Sequence, residues 1–147
     1  MRLAALGLLG LGLCLAPARL AFAATDATSL DRIEFQRRAN AVCATYTRKI
    51  AALGPVTTPA SVDRWATLMR AQTRALAALR PPTVYTIRYR RFVAVSRAVL
   101  PVALEALEAK RAGDAARSKR LSEQATRLAN ERSRIADNIG LRTCAKQ

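Results

Sequence analysis

The segment Phe35–Pro55, FQRRANAVCATYTRKIAALGP, places apolar side chains at Phe35, Ala39, Val42, Tyr46, Ile50 and Leu53, in steps of 4, 3, 4, 4 and 3. That period is one face of an α-helix. Asp31 with Glu34 supplies a start signal ahead of it, and Gly54-Pro55 a stop behind it. Cys43 adjoins Val42 and lies one turn from Ala39 and Tyr46, so it sits on or beside the face that will be buried.

Three further segments follow downstream. Thr58-Pro59 reads as a cap and a first helical position, and the stripe runs through Val62, Trp65, Met69, Gln72, Leu76 and Leu79 to a stop at Arg80-Pro81-Pro82. Gln72 on this seam is expected to fix register or face partly to water. A third helix starts at Pro82 or Thr83 and carries Tyr85, Tyr89, Phe92, Ser96, Val99, Ala103 and Ala106, with a second row at Val93, Leu100, Leu104 and Leu107. Pro101 removes the hydrogen bond to the Arg97 carbonyl, so a kink or break is expected near 97–101. Gly113-Asp114 ends this helix and caps the next, whose seam is Leu121, Ala125, Leu128, Arg132, Ile135 and Ile139 before Gly140-Leu141. Arg132 is expected to snorkel outward. Four helices joined by short turns are most simply an all-α, antiparallel four-helix bundle with a kinked third helix.

Upstream, MRLAALGLLGLGLCLAPARLAFAA has Arg2, an uncharged run from Leu3 to Leu15, and a small-residue close at Ala21-Phe22-Ala23. This is the pattern of a secretory signal peptide over 1–23, cut between Ala23 and Ala24, leaving 24–147 as one bundle domain. Pro17 and Arg19 interrupt the run short of the roughly 20 apolar residues of a membrane anchor. Leu13 ahead of Cys14 departs from the small residue that lipid attachment favours. After cleavage two cysteines remain, Cys43 and Cys144, and an even count in an exported chain favours a disulfide. Helix one rises about 18 Å from Asp31 to Cys43. The four residues from Gly140 to Cys144 reach about 13 Å, so a tail folding back along helix one can close the bridge. A loop of 101 positions gains up to about 4 to 5 kcal/mol from such a link.

The chain's 147 residues carry 25 Lys+Arg, 10 Asp+Glu and no His, a formal charge of +15. Without His there is no His-based catalysis, haem ligation or Glu-x-x-His metal pair. Gly-rich phosphate loops, nucleophile elbows and Cys-x-x-Cys pairs are missing as well, so no cofactor is expected. Glu105 and Glu108 have the spacing of a carboxylate pair but read as helix-surface decoration, as do the intrahelical pairs Glu34/Arg38, Glu123/Arg127, Asp114/Arg117, Glu108/Arg111 and Arg134/Asp137.

The charge is concentrated. No acidic residue lies between Asp63 and Glu105, while Arg64, Arg70, Arg74, Arg80, Arg88, Arg90, Arg91 and Arg97 do. Around the turn between helices two and three, Arg88, Arg90 and Arg91 alternate with Tyr85, Tyr89 and Phe92, and with Arg80 the arginines and Tyr85 and Tyr89 form a combination suited to phosphate-bearing partners or a lipid headgroup layer. Arg outnumbers Lys 21 to 4, which GC-rich coding also produces, and the aromatics also fit the core stripe. A basic chain suggests nucleic acid, but export removes that physiological target and leaves anionic lipid headgroups or wall polymers.

Ala39-Asn40-Ala41-Val42-Cys43, Leu79-Arg80-Pro81-Pro82, Ala112-Gly113-Asp114 and Gly140-Leu141-Arg142-Thr143-Cys144-Ala145 together resemble a broad set of small exported helical proteins of high-GC bacteria. These commonly pair an early Asn-x-x-Cys with a Cys near the end. The resemblance implies this architecture and an exported location (periplasm, cell wall or extracellular), and no catalytic residue. The expectation is therefore a non-enzymatic interaction module of the cell envelope, binding anionic lipid or polymer through the Arg/Tyr surface. The alternative is a bundle holding a small apolar ligand between its helices, in a cavity near Trp65 and Phe92 opened at Pro101.

Overall fold

A computed structural model describes residues 31–147, and the leader expected over 1–23 lies outside them. The described chain is all-helical: α1 (Arg32–Ala51), α2 (Pro59–Ala77), a 3₁₀ turn (Thr83–Tyr85), α3 (Thr86–Arg111), α4 (Ala115–Asn138) and a one-turn α5 (Arg142–Ala145).

The caps explain the boundaries. Asp31 accepts a hydrogen bond from the Glu34 amide at 2.8 Å, opening α1. Thr58 and Ser61 exchange side-chain and backbone bonds in a capping box, with Pro59 in the first turn of α2. α2 stops at Ala77, a few residues short of the proline pair, because residues ahead of proline are driven out of the α region. The chain after Pro82 first makes the 3₁₀ turn, so α3 begins at Thr86. α3 then runs unbroken through Pro101. One lost hydrogen bond is tolerated there because α3 packs along α4 more extensively than any other pair. Asp114 caps α4 by accepting from the Arg117 amide at 2.9 Å.

At the far end of α4, Gly140 takes φ +77° and the Leu141 amide reaches back to the Ala136 carbonyl at 2.8 Å. A side chain at Gly140 would also displace the Gln36 amide, but it is the positive φ that asks for glycine. The reversal docks on α1. Gln36 Nε2 donates to the Ile139 carbonyl at 2.9 Å, Asn40 Nδ2 donates to the Gly140 carbonyl at 3.2 Å, and Asn40 Oδ1 accepts from the Thr143 amide at 2.8 Å. This seats α5 against α1 and joins Cys43 to Cys144, both fully buried, with their Cα atoms 5.2 Å apart.

Consecutive helices pack on one another, α1 on α2, α2 on α3 and α3 on α4, and α5 closes the circuit between α4 and α1. α1 and α4 themselves bring no Cα atoms within 8 Å of each other. The main core gathers around the bridge: Phe35 and Tyr89 meet edge to face at 4.9 Å, Tyr89 stacks on Phe92 at 5.8 Å, and Leu76, Ile139 and Leu141 fill between them.

Candidate functional site

The Arg/Tyr cluster is split by the fold. Arg80, Arg88 and Arg90 are exposed at the junction of α2, the 3₁₀ turn and α3. Arg91 is exposed but bound by both Nε and Nη2 to Glu131 Oε1 of α4, at 3.0 and 2.7 Å, so much of its charge is answered internally. Tyr89 is not a surface residue. It is 2% exposed and its hydroxyl donates to the Leu76 carbonyl at 2.6 Å, tying off the end of α2. Burial pushes its phenol above the usual range. The same stripe that suggested a recognition aromatic is the core stripe, and the core takes it. Tyr85 is half-buried, its ring 6.2 Å from Phe35 and its hydroxyl accepting from Gln36 at 3.3 Å.

Between α2 and α3 the structure adds what spacing could not. Arg80, Arg90 and Arg97 line one cleft of about 370 Å³, and Arg70, Arg74 and Arg97 line the next along the same face. Among the described residues none of these five guanidinium groups is paired with a carboxylate. The absence of acidic residues between Asp63 and Glu105 makes this face uniformly positive. Of the intrahelical pairs expected, Glu34/Arg38 forms, at 2.5 Å, and Glu34 also holds Arg37 at 2.7 Å. Hydrogen bonds from Arg37 and then Arg38 lower the Glu34 carboxyl to about 2. Glu105 instead reaches Arg117 across the α3–α4 hairpin at 3.8 Å, and both side chains are exposed.

Three residues passed over in the sequence complete this end of the molecule. Ile33, Val84 and Ile87 are 78%, 62% and 84% exposed, and are the large apolar side chains left to solvent among the described residues. The Arg32 guanidinium lies 5.8 Å from the centre of the Tyr85 ring, and Gln36 bonds the same tyrosine, which brings the first turn of α1 beside the 83–87 corner. All three residues therefore belong to the end of the molecule where Arg32 meets Tyr85 and where Arg80, Arg88 and Arg90 are exposed. The signal was present in the sequence: Ile33, Val84 and Ile87 fall off the buried stripes.

A second feature is a half-open cleft beside α1. Where α1 and α4 stand apart, a cavity of about 370 Å³ is lined by Ile50, Trp65, Met69, Gln72, Val99 and Arg132, with Gln147 at its border. Trp65 belongs to it as expected; Phe92 does not, being 1% exposed within the core, and Pro101 lines a different cleft. Arg132 does not snorkel outward. It is 6% exposed, because its seam position faces this interior gap rather than a rim. Its Nε has no hydrogen-bond partner. Gln72 is buried and donates to Gln147 Oε1 at 2.7 Å.

Among the described residues no cluster of potential metal ligands occurs, and no helix is long and apolar enough to cross a membrane. Comparison with protein-family models, curated proteins and solved structures gives no match for this chain.

Proposed function

We propose that this protein is a non-enzymatic, exported module of the cell envelope that docks on anionic lipid through the end bearing Ile33, Val84 and Ile87. In this reading the four long helices form an antiparallel bundle, with α3 bent at Pro101, behind a leader cut between Ala23 and Ala24. The bridge, joining cysteines 101 positions apart, suits an oxidising space and supports the exported location.

The observation that carries the reading is the exposure of Ile33, Val84 and Ile87 at the end of the molecule where Arg32 meets Tyr85 and where Arg80, Arg88 and Arg90 are exposed without a carboxylate partner. Exposed apolar side chains at an end that also carries basic ones match the boundary between acyl chains and headgroups. Each Arg held near an anionic surface contributes about 1 kcal/mol. Arg80, Arg88 and Arg90 would engage headgroups directly. Arg70, Arg74 and Arg97, farther up the same face, extend the positive field that draws the domain in. Tyr85 and Arg91 then position the corner, and Tyr89 anchors it from within the core.

Sedimentation with vesicles tests this. The protein is expected to pellet with an equal mixture of phosphatidylcholine and phosphatidylglycerol, not with phosphatidylcholine alone, and to be released by molar salt. Val84→Ser with Ile87→Ser, and separately Arg80→Gln with Arg88→Gln and Arg90→Gln, each reduce binding at least tenfold. Equal binding to neutral vesicles removes the electrostatic component. Retention on an anionic wall polymer without vesicle binding replaces lipid by polymer as the partner.

A further inference from the structure

We infer that the half-open cleft between α1, α2 and α4 is a binding site for a small amphipathic carboxylate, its head paired with Arg132 and its apolar body lying along Trp65, Met69, Ile50 and Val99. Arg132 is 6% exposed, and its Nε, shielded from solvent, bonds to nothing. Taking a charge out of water without a partner costs several kcal/mol, so buried arginines are normally paired. Among the described residues no carboxylate is paired with this one. Desolvation accordingly lowers its pKa from the ordinary value.

The surroundings fit a partner supplied from outside. Apolar side chains dominate the lining, and polarity is confined to Arg132, the Gln72 and Gln147 amides and Thr47. An apolar chamber with a few convergent polar groups is the usual form of a small-molecule site, and about 370 Å³ is toward the smaller end of the range. A planar guanidinium matches a carboxylate with two parallel hydrogen bonds. A neutral head leaves the buried charge unanswered, and a cationic head opposes it.

Gln147 supplies the way in. It is exposed, yet its side chain bonds Gln72 and also donates to the Cys43 carbonyl at 2.9 Å and to Thr47 Oγ1. The tail beyond the bridge thus forms one wall of the cleft, and releasing a few side-chain hydrogen bonds widens it.

Trp65 is the single tryptophan of the chain and lines the site, so its fluorescence reports occupancy. Octanoate, 1-octanol and octylamine are titrated into the oxidised protein. The expected result is a saturable change with octanoate, at least tenfold weaker binding of octanol, and none of octylamine. Arg132→Met, checked for helicity, is expected to lose the preference for octanoate and retain octanol. Arg80→Gln with Arg90→Gln is expected to leave octanoate binding unchanged, separating this site from the outer arginines. Equal affinity for octanoate and octanol in the unaltered protein, or no saturable change with any of the three, overturns the inference whether or not the Arg132 variant folds.

Discussion

At one end of the helices Phe35, Tyr89, Phe92, Ile139 and Leu141 crowd around the Cys43–Cys144 bridge; at the other, Val62, Ala66, Leu100, Ala106 and Ala109 are the buried residues. Alanine lets α3 and α4 run close together, but it contributes little apolar volume, and open clefts persist beside Trp65. The first end is filled with rings and branched side chains and closed by covalent and hydrogen-bonded ties. Stability is therefore concentrated there, and the exposed Ile33, Val84 and Ile87 project from a rigid base. The lean end keeps space beside Trp65.

Removing the bridge strikes the dense end hardest. Cys144→Ser loses up to about 4 to 5 kcal/mol for a loop of this length, seen as a large fall in melting temperature and as matched by chemical reduction of the wild type. Next comes a paired test of packing. Ala39→Val, at a position with no exposure against Cys144, overpacks the dense end and destabilises by about 1 to 3 kcal/mol. Ala125→Leu, in the cleft shared with Trp65 and Leu107, fills space and stabilises by about 0.5 to 2 kcal/mol. Effects of the same sign in denaturant titrations would erase the distinction between the ends. Tyr89→Phe removes one donor from the Leu76 carbonyl, which still accepts from the Leu79 amide at 3.0 Å, so the loss is about 0.5 to 1.5 kcal/mol.

The smallest effect belongs to pH. Glu34 is held at about 2, below the ordinary 4.5, by Arg37 and Arg38. Its contribution is present above the unfolded value and fades as pH falls from about 4.5 toward 2. Because the group is exposed, the change is slight. Comparing melts of wild type and Glu34→Gln at pH 5 and pH 2.5 should show a small wild-type advantage that shrinks at the lower pH.

Much of this was legible in residue order. Asp31, Thr58-Pro59, Gly113-Asp114 and Gly140 mark helix ends because their chemistry is local, and of the stripe Phe35, Ala39, Val42, Tyr46, Ile50 and Leu53 the core buries Phe35 and Ala39, with Cys43 beside them, and leaves the rest partly exposed. Features that depend on distance between helices were not. α5 is too short to show a period and exists because Asn40, a hundred positions away, caps it. A seam arginine reads as a snorkelling one unless the gap between α1 and α4 is known, and so Arg132 was misplaced. Tyr89 satisfied a core pattern and a recognition pattern at once, and burial decided between them. The apolar tip was visible only as departures from stripes, which gain meaning once α1 and the 83–87 corner are brought together.

Depth-dependent quenching by brominated lipids tests the docking end most directly. Native Trp65 marks the lean end, and Ile87→Trp in a Trp65→Phe background marks the dense one. On vesicles containing phosphatidylglycerol, tryptophan at position 87 is expected to be strongly quenched and native Trp65 to be untouched. Quenching of Trp65 with none at position 87, or equal quenching of both, would contradict docking through the bridged end.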